Sequence, residues 1–160
     1  MTSPLDHPYL TTMGLFAEAH SGLSQVLERR LETDAQMSVQ WFEVLIRLAR
    51  SPGQRLRMSE LAAQTTLSPS GLTRAVDRLA AAGLVRREAC LTDRRSAWAC
   101  LTEDGEARLE KAVPVHVTQL TEILDSVFTP AEAATFSQLM RQLRDVINPD
   151  AARPPSDIEP

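Results

Sequence analysis

The sequence predicts a mainly α fold that carries one small β-hairpin. Apolar residues recur at three-and-four spacing over long stretches near both ends of the chain. A pair of short, capped helical segments lies between them, and two short alternating runs follow around a polar tip. The chain has 160 residues, 43% hydrophobic and 24% charged, which suits an ordinary buried core and excludes a disordered or fibrous chain.

Residues 1–9 contain Pro4 and Pro8 and are expected to be a flexible start. From about Leu10 to Glu32, residues Phe16, Ala19, Leu23, Val26 and Leu27 share one face of a long amphipathic helix. Ser38 is placed to cap a second helix, Trp41 to Arg50, which stops at Ser51-Pro52-Gly53. Leu56 and Met58, alternating with arginines, predict a short strand, and Ser59 is expected to cap a brief helix through Gln64. Thr65, Thr66 and Leu67 then form a tight link to Ser68-Pro69, a serine cap with proline at the first helical position. The helix that follows runs to about Ala82, turns Leu72, Val76 and Leu79 to the core, and meets a left-handed stop at Gly83. Two short helices so joined outline a helix-turn-helix.

Leu84 to Arg87 and Ala97 to Leu101 read as strands around the polar tip at 91–96, and the hairpin they make is a wing. Thr102 caps a long helix from Glu103 towards Phe128, in which Pro114 is expected to force a kink or local break. Thr129-Pro130-Ala131-Glu132 is a capping box that opens a last helix, whose apolar face is Phe136, Leu139, Met140, Leu143 and Ile147. The outer helices carry more apolar surface than the central part can cover, which predicts burial against a second copy over simple packing within one chain. The expected organisation is a flexible start at 1–9, an N-terminal dimerisation helix at 10–36, a winged helix-turn-helix at 37–105, C-terminal dimerisation helices at 106–148 and a disordered tail at 149–160.

Composition narrows the function. No apolar run is long enough to span a membrane and residues 1–9 do not resemble a signal peptide, so a cytoplasmic protein with no membrane partner is expected. Cys90 and Cys100 with His7, His20 and His116 offer no metal-ligand spacing, so neither a metal nor another cofactor is expected. No glycine-rich phosphate loop, nucleophile elbow or catalytic carboxylate pair is present, and an enzyme is not expected.

The net charge is −4, which argues against coating nucleic acid by overall charge. Yet Arg47 to Arg95 holds ten arginines against four acids, leaving seven basic against seventeen acidic residues elsewhere. A polyanion docked on that middle segment would feel mainly its local positive field, because surface charges are screened over about 8–10 Å. On the helix after Ser68, residues Ser70, Thr73 and Arg74 lie near the start of the exposed face, with Arg78 one turn on. Small hydroxyl residues there let the backbone approach a base edge or phosphate, and a guanidinium can read guanine with two donors. In the competing structural reading, Ser68 only caps and one of the arginines pairs with Asp77 or Glu88.

The order and spacing of these motifs are similar to those of the MarR family of bacterial transcriptional regulators. The resemblance rests on Ser59-Glu60-Leu61-Ala62, on Leu79 with Gly83-Leu84-Val85 and Arg86, and on Asp93-Arg94-Arg95-Ser96-Ala97-Trp98-Ala99-Cys100-Leu101-Thr102 with Gly105. It implies a homodimeric regulator, more often a repressor, that binds double-stranded DNA at a near-palindromic operator with one recognition helix per subunit. Carried over by position, Ser68, Ser70, Thr73, Arg74 and Arg78 are recognition-helix residues. Arg94 is the wing-tip residue for the minor groove, Arg95 contacts phosphate or braces the hairpin, and Asp93 braces it. The family also implies a small aromatic anion as effector, lodged between dimer helices and DNA-binding lobe, with Phe16, His20, Trp41, Leu45 and the Val113 to Val117 region as lining. The bland alternative keeps Trp41 in the core and His20 as a surface residue. Two further alternatives are a redox-responsive regulator acting through Cys90 and Cys100, and a winged helix that binds protein without binding DNA.

Overall fold

A computed structural model describes residues 4–89 and 97–152. The elements run α1 (Pro8–Ala35), α2 (Val39–Ala49), β1 (Arg55–Arg57), α3 (Met58–Gln64), α4 (Pro69–Ala81), β2 (Val85–Ala89), β3 (Ala97–Leu101), α5 (Glu103–Asp125) and α6 (Pro130–Ile147). Short 3-10 turns occupy Pro4–Asp6, Pro52–Gln54 and Pro149–Ala152. The strands form one antiparallel sheet in the order β1-β3-β2, pairing Leu56 with Ala99 and Val85 with Leu101. This is the mainly α, winged architecture that the sequence predicts.

Local chemistry sets most boundaries. Ser38 Oγ accepts the Trp41 N–H at 3.3 Å and starts α2, and Thr129 and Glu132 close the capping box of α6. α4 ends as the sequence predicts, with Gly83 at φ 75°, the Leu84 N–H bonded to the Leu79 carbonyl and the Gly83 N–H to the Ala80 carbonyl. Together these make a Schellman motif.

Three boundaries differ from expectation. α1 begins at Pro8, two residues early, because the His7 ring accepts the Tyr9 N–H and proline suits the first helical position. Ser59 does not cap α3, because the Glu60 carboxylate reaches back to the Arg57 N–H at 2.9 Å and the helix starts at Met58. α5 continues through Pro114 without a break; Pro114 and Glu110 are both exposed, so the carbonyl that the proline leaves unpartnered lies on the solvent-facing side of the helix.

The core gathers Leu31 from α1, Val44, Leu45 and Leu48 from α2, Leu56 from β1, Leu61 from α3, Leu72, Val76 and Leu79 from α4, and Leu109 and Ala112 from α5. Each fully buried leucine or valine contributes about 1.5–3 kcal/mol relative to exposure, so this one cluster holds the central lobe to both long helices. The junction between wing and α5 is close-packed. Thr102 donates its hydroxyl to the Gly83 carbonyl at 2.7 Å and accepts the Gly105 N–H at 3.0 Å, while its own N–H reaches the Leu84 carbonyl.

The outer helices are different. α6 has no buried residue, and Phe136, Leu139, Leu143, Val146 and Ile147 stand exposed, as do Leu10, Met13 and Leu15 on α1. The far end of α6 returns to the lobe, where Asn148 Nδ2 donates to the Ala63 carbonyl at 3.1 Å and the turn at Pro149–Ala152 lies against α3.

Candidate nucleic-acid interface

The start of α4 is built for a polar neighbour. Ser68 Oγ accepts the Gly71 N–H at 3.1 Å, and Pro69 fills the first position, where no N–H is needed. Burial of Leu72, Ala75, Val76 and Leu79 fixes the roll of the helix, so Ser70, Thr73, Arg74 and Arg78 project into solvent from the opposite side. The Thr73 hydroxyl donates back to the Pro69 carbonyl at 3.0 Å, and the Ser68 and Ser70 hydroxyls lie 3.4 Å apart. The positive end of the helix dipole adds to the field at this point.

The acids that compete for these arginines are engaged elsewhere. Asp77 pairs with Arg87 at 3.4 Å, and Glu88 with Arg86 at 2.6 Å and, more loosely, with Arg55 at 4.0 Å. The Arg86 hydrogen bond holds the Glu88 carboxyl below the usual carboxylate range. Neither Arg74 nor Arg78 forms an ion pair among the described residues. Two unspent guanidinium groups therefore stand a turn apart on one helix face.

The wing stem presents a second basic surface. Register places Arg57, Trp98 and Glu88 in one row across the sheet and Arg55, Cys100 and Arg86 in the next, while Leu56, Ala99, Val85 and Leu101 face the core. The Arg55 and Arg57 guanidinium carbons sit 4.8 and 5.2 Å from the Trp98 ring centre, a cation–π arrangement that cross-strand pairing creates and sequence spacing alone does not show. Asp93, Arg94, Arg95 and Cys90 lie outside the described residues. Cys100 is buried, and burial, aided by Glu88, pushes its thiol up to about 11. A buried thiol held above its ordinary value ionises little at neutral pH, which weighs against oxidant sensing at Cys100.

The residues expected around an effector do not gather. Phe16 and His20 stack on the exposed part of α1 with ring centres 6.4 Å apart, whereas Trp41 is half-buried against the core. Leu45 has no exposed surface, so it fills the core and cannot line an open site. A cleft of about 460 Å³ opens instead between the second half of α1 and the middle of α5. Of the expected lining, only Pro114 and Val115 border it. Arg30 bonds Glu122 across the cleft at 2.8 Å. Gln119, 3% exposed, donates to Asp34 at 3.4 Å while its Oε1 has no partner among the described residues. Sequence reasoning missed Gln119, although it falls on the same helical stripe as Ala112 and Val115, where a polar residue is the exception. Nearby, His116 packs on Phe42 with ring centres 4.5 Å apart, and burial lowers its pKa. No His, Cys, Asp or Glu group that could hold a metal exists among the described residues. Nor is any helix among them long and apolar enough to cross a membrane.

A winged helix-turn-helix with an open recognition face defines the class. A family model described as MarR family matches residues 35–96. Among solved structures, the chain is similar to Sco3205, a MarR family transcriptional regulator from Streptomyces coelicolor in complex with DNA, at 34% identity and a TM-score of 0.77, covering 86% of each chain. It is also similar to AbsC, another MarR family regulator from Streptomyces coelicolor, at 31% identity and a TM-score of 0.71, covering 85% of this chain and 94% of that one. The HTH-type transcriptional repressor YetL of Bacillus subtilis is 28% identical over 102 residues, 64% of this chain; the match spans 60% of YetL's own length. The chain belongs to the MarR family, whose members are transcriptional regulators and not enzymes.

Proposed function

We propose that this protein is a homodimeric repressor that binds a pseudo-palindromic DNA operator through α4 and the wing. The observation that carries the reading is the pair Arg74 and Arg78, exposed and without an acidic partner among the described residues, beside the N-terminus of α4. Arg74 reads a base edge in the major groove, Ser70 and Arg78 hold phosphates, and Arg94 enters the minor groove with Arg95 on the backbone. Ser68 and Thr73 fix the helix start, and Asp93 braces the wing. The exposed apolar faces of α1 and α6 supply the two-fold contact, since neither is covered within one chain.

Release follows from a small aromatic acid entering the cleft between α1 and α5. Its carboxylate displaces Glu122 from Arg30, its hydroxyl donates to Gln119 Oε1, and its ring packs on Pro114 and Val115. The reading is tested by selecting duplexes from a randomised pool and footprinting the winners. Two protected half-sites with centres about 10 base pairs apart are expected. A pool that shows no enrichment would overturn the proposal. Addition of hydroxybenzoic acids should then loosen the complex in the wild type and not in Gln119→Leu.

A further inference from the structure

The link between α3 and α4 is held by a residue outside both helices. Glu43, on α2, accepts the Thr66 backbone N–H at 2.7 Å through Oε1 and the Thr66 hydroxyl at 2.9 Å through Oε2. We propose that Glu43 is a positioning residue for DNA reading: its carboxylate clamps the helix-turn-helix turn to α2 and so sets the pose of the recognition helix. This rests on the DNA-binding reading above.

The geometry supports a clamp because its two ends differ in rigidity. Glu43 precedes Val44 and Leu45, both with no exposed surface, so its backbone belongs to a helix anchored in the core of the lobe. Thr66 lies in the irregular stretch between Gln64 and Ser68, exposed, with no helical hydrogen bond of its own to hold it. The apolar face of α4 fixes how that helix rolls, but the height and tilt of its first turn depend on the few residues leading into it. Ser70 and Arg74 lie one and five residues past the start of α4 at Pro69, about 1.5 and 7.5 Å along the helix axis, so both follow its first turn. Base contacts tolerate errors of only about 0.5 Å and 10–20°, so a loosened Thr66 spreads the reading side chains over poses that no longer match one sequence. Contacts to phosphate tolerate the same looseness, because a point charge needs little directional precision. Glu43 also brings a negative charge near the DNA face, and two donors on its two oxygens keep that charge turned into the turn.

Four variants test this, Glu43→Ala, Glu43→Gln, Thr66→Val and the double Glu43→Ala/Thr66→Val, each titrated by anisotropy against a duplex enriched from a random pool and against a scrambled duplex. Glu43→Ala should lose about 10- to 100-fold on the enriched duplex while its affinity for the scrambled one and its salt slope stay at the wild-type values. Thr66→Val keeps only the backbone bond and should fall between, Glu43→Gln can accept the N–H and donate to the hydroxyl and should stay nearer the wild type, and the double variant should be no worse than Glu43→Ala. Amide exchange at Thr66 should quicken in Glu43→Ala. If Glu43→Ala does not fold, Thr66→Val still carries the comparison. Wild-type discrimination in all folded variants overturns the positioning role and leaves DNA reading intact. Equal loss on both duplexes makes Glu43 a residue of general stability and also overturns it. A wild-type protein that enriches no sequence overturns DNA reading itself, and the role of Glu43 with it.

Discussion

Gly105→Ala turns an ordinary expectation about helices upside down. Gly105 lies in the first turn of α5, and on an open helix face alanine would be the better residue by about 1 kcal/mol. Here a Cβ would run into the Leu84 carbonyl oxygen and stand 2.8 Å from Leu101 Cδ1. The carbonyl is backbone and cannot swing aside as a side chain would. It also accepts the Thr102 N–H at 3.2 Å, so moving it weakens a hydrogen bond worth about 1 kcal/mol at the joint between wing and α5. Overpacking of this kind costs about 1–3 kcal/mol. Set against the gain in propensity, the net loss should be about 2 kcal/mol, or about 4–8 °C in Tm for a chain of this size. Thermal and urea unfolding followed by circular dichroism at fixed protein concentration measure it. A variant as stable as the parent or more so would refute the close approach of α5 to the α4–β2 turn. The same joint ties the winged lobe to α5, so under the proposed function operator binding should weaken along with stability.

In the proposed dimer, Leu139→Glu would place a charge on the exposed apolar face of α6 in both subunits at once; losing about 2 kcal/mol from each copy should raise the dimer dissociation constant about a thousandfold, and sedimentation showing an unchanged dimer would move the interface elsewhere. Arg74→Ala should cost about 1–3 kcal/mol on the operator and relax selection at one base pair per half-site, whereas equal weakening on every sequence would make Arg74 a phosphate contact. Burial holds the His116 pKa below its ordinary 6.5, so the unfolded chain takes up the proton first. Stability from this group is complete above that value and declines as pH falls from it towards the folded-state pKa. His116→Phe keeps a ring against Phe42 and should flatten that part of the pH–stability curve, and a curve with the parent's slope would show that His116 titrates alike in both states.

The helices and the hairpin were legible because their signals are local. Ser38, Ser68-Pro69, Gly83 and Thr129-Pro130 each act on residues no more than five away, and each sits at a boundary in the fold. Ser59 misled because the Glu60 carboxylate caps the Arg57 N–H and starts the helix two residues earlier. Pro114 does not break α5, because the cost of a missing hydrogen bond depends on whether water can replace it, which sequence does not state. Periodicity marked Leu45 as apolar but could not separate a residue facing a cleft from one sealed inside. The remaining contacts are long-range: Glu43 with Thr66, Gln119 with Asp34, Arg30 with Glu122, and Trp98 beneath Arg55 and Arg57. Each depends on packing angles between elements, and no spacing rule along the chain encodes those.

The most direct measurement is a salt titration of the purified protein on its selected duplex, with stoichiometry read in the same experiment. Two chains should bind each duplex, with affinity at least a thousand times that for a scrambled duplex near physiological salt, and the logarithm of affinity should fall steeply and linearly with the logarithm of salt. One chain per duplex, or equal affinity for both duplexes at every salt concentration, would contradict paired recognition helices reading sequence.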